Sequence, residues 1–302
     1  MVTNRVSILK QLEPNLNAVF GETYEGYENE AEMLFTKETS DRAYEEDVLF
    51  TGFGSAPDKE EGAAVTYDDA TEMWVSRYMH TTVALAFALT EEAMEDNLYE
   101  RLSVRLTKAL ARSMAHTKQV KGAAVYNRAF NSSYVGGDGL ELCSTAHTLR
   151  SGGTLQNEPT NAVDLSETAL EDALITVAGW TDDRGIPIAV QGRKLVIPRN
   201  LVFEAERLLK NPNQPHTAER NVNALYQTGM LPEGYAINHR FTDTDAWFIL
   251  TDAPDGMKHF MRVPYKTAFE GDFETGNVRY KARERYSFGW SDWRGVFGSP
   301  GG

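Results

Sequence analysis

Polar and apolar positions change their spacing several times along the chain, and each change predicts an element. Near the N-terminus Val6, Ile8, Leu9 and Leu12 give a short helical pattern, which Pro14 is expected to stop. An acidic stretch around Tyr24, Tyr27 and Phe35 follows. Residues 1–38 hold too few apolar side chains to fold alone. They read as an arm that either stays disordered or is ordered by lying along another surface, burying Leu34, Phe35 and the tyrosines there.

From Asp41 the pattern turns strand-like, with Val48, Leu49, Phe50 and Phe53 leading into the break Gly52-Phe53-Gly54-Ser55-Ala56-Pro57. A charged tip, Asp58-Lys59-Glu60-Glu61-Gly62, comes next. A second extended run is predicted through Ala63, Ala64, Val65, Thr66 and Tyr67, and a third from Met73 to Leu89. Together these make a long two-stranded excursion over 39–75. A lone ribbon is marginal in water, so one this long and acidic needs a partner surface.

Thr90-Glu91-Glu92-Ala93 is a helix opening, with Thr90 as cap and acids where the helix dipole favours them. Met94, Leu98, Leu102, Leu106, Leu110 and Met114 recur every four residues, predicting a helix over 90–121 that ends before Gly122 and is roughly 45 Å long. Arg101, Arg105, Lys108 and Arg112 fall on one face beside the leucines. That face reads either as a solvated strip or as a basic surface that meets something acidic, a neighbour's ribbon or packaged nucleic acid.

Asn131 to Asn157 is rich in glycine and serine and reads as a loop. Beyond it, a helix is predicted from Ser166, a strand at Leu195-Val196-Ile197-Pro198, and an amphipathic helix from Asn200 through Leu209. Short strands then alternate with turns, at 235–238, 246–251, 259–263 and 278–288. The fold class is α+β, without internal repeat or low-complexity linker.

Composition adds a constraint of location. The chain has 302 residues with 44 acidic and 30 basic side chains, a net −14. Residues 1–72 carry 17 acids against 5 bases, a net −12, so the remaining 230 residues are nearly neutral. A sequence-independent binder of nucleic acid needs a basic excess, which this chain lacks. The closing segment is a local exception: Arg279, Lys281, Arg283, Arg285 and Arg294 oppose only Glu284 and Asp292. No apolar run is long enough to span a bilayer, and one cysteine, Cys143, allows no internal disulfide.

Candidate chemistry is sparse. The six histidines stand singly without ligand spacing, so no metal site is predicted, and no phosphate-binding or dinucleotide fingerprint points to a cofactor. Cys143 and His147 share one loop and suggest a thiol nucleophile with its base, although such pairs normally come from separate elements. The acid clusters Glu45-Glu46-Asp47, Glu60-Glu61 and Asp68-Asp69 lie in extended stretches and read as solvated charge rather than glycosidase carboxylates. The sequence predicts no enzyme; a thiol hydrolase using Cys143 is the distant alternative.

The order of these segments resembles the major capsid proteins of tailed phages, whose fold is named after phage Hong Kong 97. The resemblance rests on the arm, the acidic ribbon, the run Tyr78-Met79-His80-Thr81-Thr82-Val83-Ala84-Leu85-Ala86-Phe87 and the helix opening at Thr90. It is extended by Asp138-Gly139-Leu140-Glu141-Leu142-Cys143-Ser144-Thr145-Ala146-His147, by Lys194 to Pro198 followed by a helix, and by Asp272 to Asn277 before a basic strand.

The resemblance implies a shell subunit that assembles into hexamers and pentamers enclosing double-stranded DNA, with no sequence-specific contact to it. It implies an N-terminal arm over 1–38, an extended loop over 39–75 and a peripheral domain over 76–170 containing a spine helix at 90–121. An axial domain over 171–264 and a return to the peripheral domain over 265–302 complete it. Implied partners are other copies, a separate scaffolding protein, a portal and, as a further candidate, a decoration protein. The implied location is the virion capsid, with assembly in the host cytoplasm. A cellular compartment shell of the same fold is the alternative.

The charge pattern suggests how copies meet. The ribbon residues Glu45, Glu46 and Asp47, with Phe50 and Phe53 supplying apolar burial, are expected to reach a neighbour's basic surface, either Arg101 and Arg105 or Arg279, Arg283 and Arg285. Lys59 is the one tip lysine placed for the intersubunit crosslink that some members make, but it lacks a matching motif, and non-covalent packing is expected.

Overall fold

A computed structural model describes residues 5–90, 92–93, 99–213, 221–272 and 276–302, leaving out the side chains of 5–12 and 99–101. The chain begins with helix α1 (Arg5–Glu25). Pro14 lies inside it instead of ending it. An interior proline costs about 3 kcal/mol. Burial of Leu16 and Phe20 beyond it, worth about 1.5–3 kcal/mol each, outweighs this.

Those two side chains pack on a long helix, α2 (Tyr99–Asn127), and on strand β11 (Val278–Trp290), in a core with Leu110, Ala111, Met114, Tyr280 and Ala282. The arm is therefore ordered by its own chain. Leu34 and Phe35 are buried as expected, whereas Tyr27 stays exposed.

Helix α2 passes the predicted stop at Gly122 and ends at Asn127. A Cβ at 122 would stand 2.8 Å from the Ala31 Cβ, so glycine here marks a close approach of the arm, not a helix end. The buried stripe also departs from the spacing of four. Each such step overshoots a turn by about 40°, so Leu102 is exposed while Ser103, Thr107, Leu110, Ala111 and Met114 face inward. Met94 and Leu98 lie outside the described residues. The Thr90 cap is present: the Ala93 N–H donates to Thr90 Oγ1 at 3.4 Å.

Two four-stranded sheets organise the body. The first has the order β1 (Thr36–Thr39), β10 (Met257–Gly271), β11 and β4 (Thr81–Leu89). The second has the order β12 (Val296–Ser299), β9 (Trp247–Thr251), β7 (Gly192–Pro198) and β8 (Tyr235–Asn238). The expected division at 264/265 is thus not where the sheets part. β10 enters the first sheet at Met257, and the C-terminal β12 crosses to the second.

Helices α3 (Glu167–Ala178), α4 (Val202–Lys210) and α5 (Ala224–Thr228) share a core with the Leu195, Ile197, Trp247 and Ile249 face of the second sheet. Val196 and Phe248, on its other face, meet Tyr126, Phe35 and Leu142. Ser166 caps α3, accepting from the Ala169 N–H at 3.2 Å.

The ribbon consists of β2 (Tyr44–Phe50) paired antiparallel with β3 (Glu72–Met79). The run expected from Met73 to Leu89 is broken at His80: β3 pairs with β2, and β4 pairs with β11. Residues 63–67 form no strand, while within the glycine-rich stretch β5 (His147–Thr148) pairs antiparallel with β6 (Thr154–Leu155).

Candidate intersubunit surfaces

The ribbon is anchored at its base by buried polar contacts. Asp47 accepts from Lys258 Nζ at 2.7 Å and from Ser291 Oγ at 2.6 Å. Burial alone would pull the Lys258 pKa down, but its contacts with Asp255 and Asp47 hold it above the ordinary lysine value. Tyr78 Oη lies 2.5 Å from Ser291 Oγ, and Trp74 Nε1–H donates to the Ser291 carbonyl at 3.3 Å. The hinge residue His80 is buried between Ser40 Oγ (2.8 Å from Nε2) and Ser287 Oγ (3.0 Å from Nδ1), and Ser40 donates to Glu45 at 2.6 Å. Burial and the nearby Arg285 keep the His80 pKa below that of a free histidine.

These contacts change the expected pairing. Glu45 is taken by Ser40, Glu46 by Arg77 at 2.9 Å across the ribbon, and Asp47 by Lys258. The acidic triplet is therefore partnered within the subunit: Glu45 and Asp47 share the face that points back at the body, and Glu46, on the opposite face, pairs within the ribbon. What stands free for another molecule is the tip: Phe50, Phe53, Asp58, Lys59, Glu60 and Glu61 are all exposed. Arg184 holds its far end, donating to Asp68 Oδ1 at 3.2 Å and to the Asp69 carbonyl at 2.6 Å.

Strand alternation sorts the basic closing segment. Val278, Tyr280, Ala282, Glu284 and Tyr286 point inward, while Arg279, Lys281 and Arg283 are exposed on the outer face. Glu284, expected to offset that charge, is instead 1% exposed and accepts from Tyr24 Oη at 2.8 Å; burial raises its pKa. Arg279 is paired with Asp272. Arg285 is half-buried and donates to the Ala43 carbonyl at 3.4 Å. Arg294 is buried with Asp183 and Asp292 and takes no part in a surface. On α2, Arg105, Lys108 and Arg112 are exposed; the Arg101 side chain lies outside the described residues.

The Cys143 and His147 pair is not formed. His147 Nδ1 lies 2.6 Å from Asp138 Oδ2, and its Nε2 lies 3.1 Å from Asn157 Oδ1. The Asn157 amide is oriented by the carbonyls of Leu142 (2.8 Å), Trp293 (3.2 Å) and Val296 (3.0 Å), so its Oδ1 accepts, from His147 Nε2–H and from the Ser144 N–H at 2.8 Å. The imidazole stacks on Trp293 with ring centres 4.4 Å apart. Cys143 is fully buried, and burial raises its thiol pKa well above the ordinary value, away from the thiolate. The glycine-rich loop is thus tied to the C-terminal strand by a node that sequence spacing does not reveal. Among the described residues no group of three metal-ligating side chains occurs, and no helix is long and apolar enough to cross a membrane.

Arm, anchored ribbon, long helix and two sheets are the parts of a Hong Kong 97-type subunit, and comparison with known proteins agrees. The sequence pattern of the phage capsid protein family matches residues 74–298. The chain belongs to that family. Among solved structures, this phage capsid family member is similar in fold to a virus-like particle from Pyrococcus furiosus, at 10% identity over 94% of this chain and 97% of the other, with a TM-score of 0.54. The capsid of Myoviridae phage XM1 aligns at 10% identity over 89% of each chain, with a TM-score of 0.51. The capsid of an empty GTA particle aligns at 13% identity over 89% and 88%, with a TM-score of 0.52. No curated protein matches by sequence.

Proposed function

We propose that this protein is the shell-building subunit of a tailed-phage head, assembling into hexamers and pentamers that enclose double-stranded DNA. The family match over 74–298 carries the reading. It is supported by a ribbon whose tip exposes Phe50, Phe53, Val65 and Tyr67, which no described residue of the subunit covers. Scaffolding protein, portal and a decoration protein are the further partners the reading expects, with assembly in the host cytoplasm and no catalytic role. In it, 76–170 and 265–302 belong to the peripheral part and 171–264 to the axial part, adjusted where the sheets exchange strands.

The electrostatic half of the contact is reassigned by the partners described above. Tip acids Asp58, Glu60 and Glu61 of one copy meet the exposed Lys281 and Arg283 of the next, while Glu45, Glu46 and Asp47 hold the ribbon to its own body. Attraction of this kind steers orientation and rate more than it adds affinity.

A compartment shell of the same fold is the competing reading. Particles purified from host cells separate the two: nuclease-resistant double-stranded DNA inside them supports the phage head, and a protein cargo without DNA refutes it.

A further inference from the structure

The subunit contains two unpaired features that match each other. The first is the outer edge of the first sheet. β4 pairs with β11 from Thr81↔Tyr286 to Leu89↔Val278, and no described strand pairs with its other edge. Open edges are normally blunted by proline, charge or a bulge. Thr81–Leu89 has no proline, no charged residue and an unbroken register, and Leu85 is 46% exposed.

The second is Ala63-Ala64-Val65-Thr66-Tyr67. Its composition favours a strand, yet in the subunit it forms none. All five residues are exposed, Val65 at 65% and Tyr67 at 94%.

Side-chain alternation makes the two complementary. Ala84, Ala86 and Ala88 lie opposite Arg283, Lys281 and Arg279 and share their face. A row of methyl groups leaves room for those long basic side chains to reach across one strand spacing, about 4.8 Å. On an added strand, the small Ala64 and Thr66 would prolong that row. Of the flanking acids, Glu60 falls on that same face by the alternation and would stand beside the basic chains. On the opposite face, Val65 and Tyr67 would extend the apolar row of Val83, Leu85 and Phe87.

The occupant is a second copy. Within one subunit the segment is tethered elsewhere, because Arg184 holds Asp68 and Asp69 immediately after Tyr67, and Arg184 precedes the second sheet. We infer that residues 63–67 of one copy add as a fifth strand to the open β4 edge of a neighbouring copy. This rests on the shell reading above and names the backbone contact through which neighbours are joined.

Hydrogen exchange on assembled particles and on unassembled subunits tests it, together with Val65→Pro, Thr66→Pro and Val65→Thr. Amides of β4 and alternate amides of 63–67 are expected to exchange at least about tenfold more slowly in particles than in free subunits. Successive N–H groups of an added edge strand point alternately at β4 and away from it, so one of V65P and T66P removes a ladder donor, and that one should cut particle yield at least about tenfold while its circular dichroism stays that of the parent. V65T, a comparable strand former, should assemble normally. Particles in which every amide of 63–67 and of β4 exchanges as fast as in free subunits, or V65P and T66P particles both at the parent yield, overturn the strand addition and leave the shell reading standing. A parent protein that never assembles overturns both.

Discussion

The Asn157→Ala variant removes the side chain at the centre of the loop node. Asn157 is fully buried and faces five partners: three carbonyls at 2.8, 3.0 and 3.2 Å, and two donors, the Ser144 N–H at 2.8 Å and His147 Nε2–H at 3.1 Å. Alanine satisfies none of them. A buried donor left without a partner costs about 1–3 kcal/mol, and carbonyls tolerate loss better, so two orphaned donors put the destabilisation at about 4 kcal/mol. That is a large part of the roughly 5–15 kcal/mol typical of a domain.

The consequence is not confined to the loop, because the Trp293 and Val296 carbonyls belong to the segment that delivers β12 to the second sheet. Urea unfolding of unassembled subunits, followed by tryptophan fluorescence, measures the loss; Trp293 stacks on His147 and reports the node directly. A midpoint shift equivalent to less than about 1 kcal/mol would refute the claim that these hydrogen bonds hold the loop to the C-terminal strand.

Charge reversal at Lys281→Glu with Arg283→Glu should impair particle formation while leaving subunits folded, read by sedimentation and circular dichroism; both side chains are exposed, whereas Arg285 is tied to Ala43, so reversing it would confound folding with assembly. Glu158 sits half-buried near Glu141, and burial first, then that neighbouring charge, raises its pKa from 4.5 to about 7. A raised carboxyl stabilises the fold below pH 4.5 and loses that contribution as pH rises toward 7, so Glu158→Gln should flatten the fall in subunit stability across that window, measured as melting temperature against pH. Cys143→Ala should lower stability by about 1 kcal/mol through lost packing and leave particle yield intact; a yield that collapses with stability retained would contradict a purely structural thiol.

Much of the fold was legible in local pattern. Thr90 announces its cap, Ser166 starts α3, and the basic strand near the C-terminus shows in the alternation from Val278 onward. The misses share one physical cause, tertiary contact overriding local signal. Pro14 is carried inside α1 by the burial of Leu16 and Phe20, and Gly122 is a contact with Ala31, not a stop. The order of the glycine-rich loop comes from Asn157, a residue whose partners lie more than a hundred positions away at Trp293 and Val296. Among the surface candidates, Phe50, Phe53 and Arg283 are exposed, whereas Glu45, Glu46 and Asp47 have partners within the subunit. Sequence shows their charge but not that Glu45 and Asp47 face Ser40 and Lys258 while Glu46 pairs with Arg77 across the ribbon. The strand expected at 63–67 is not formed within the subunit.

The acidic front of the chain thus divides into a base held by its own body and a tip left for others, and assembly is where that division shows. Negative-stain electron microscopy of the purified protein, across salt and crowding conditions, tests the shell reading most directly. Closed icosahedral particles, or the tubes and rings of incomplete closure, are the predicted result. A protein that stays monomeric under every assembly condition would contradict it.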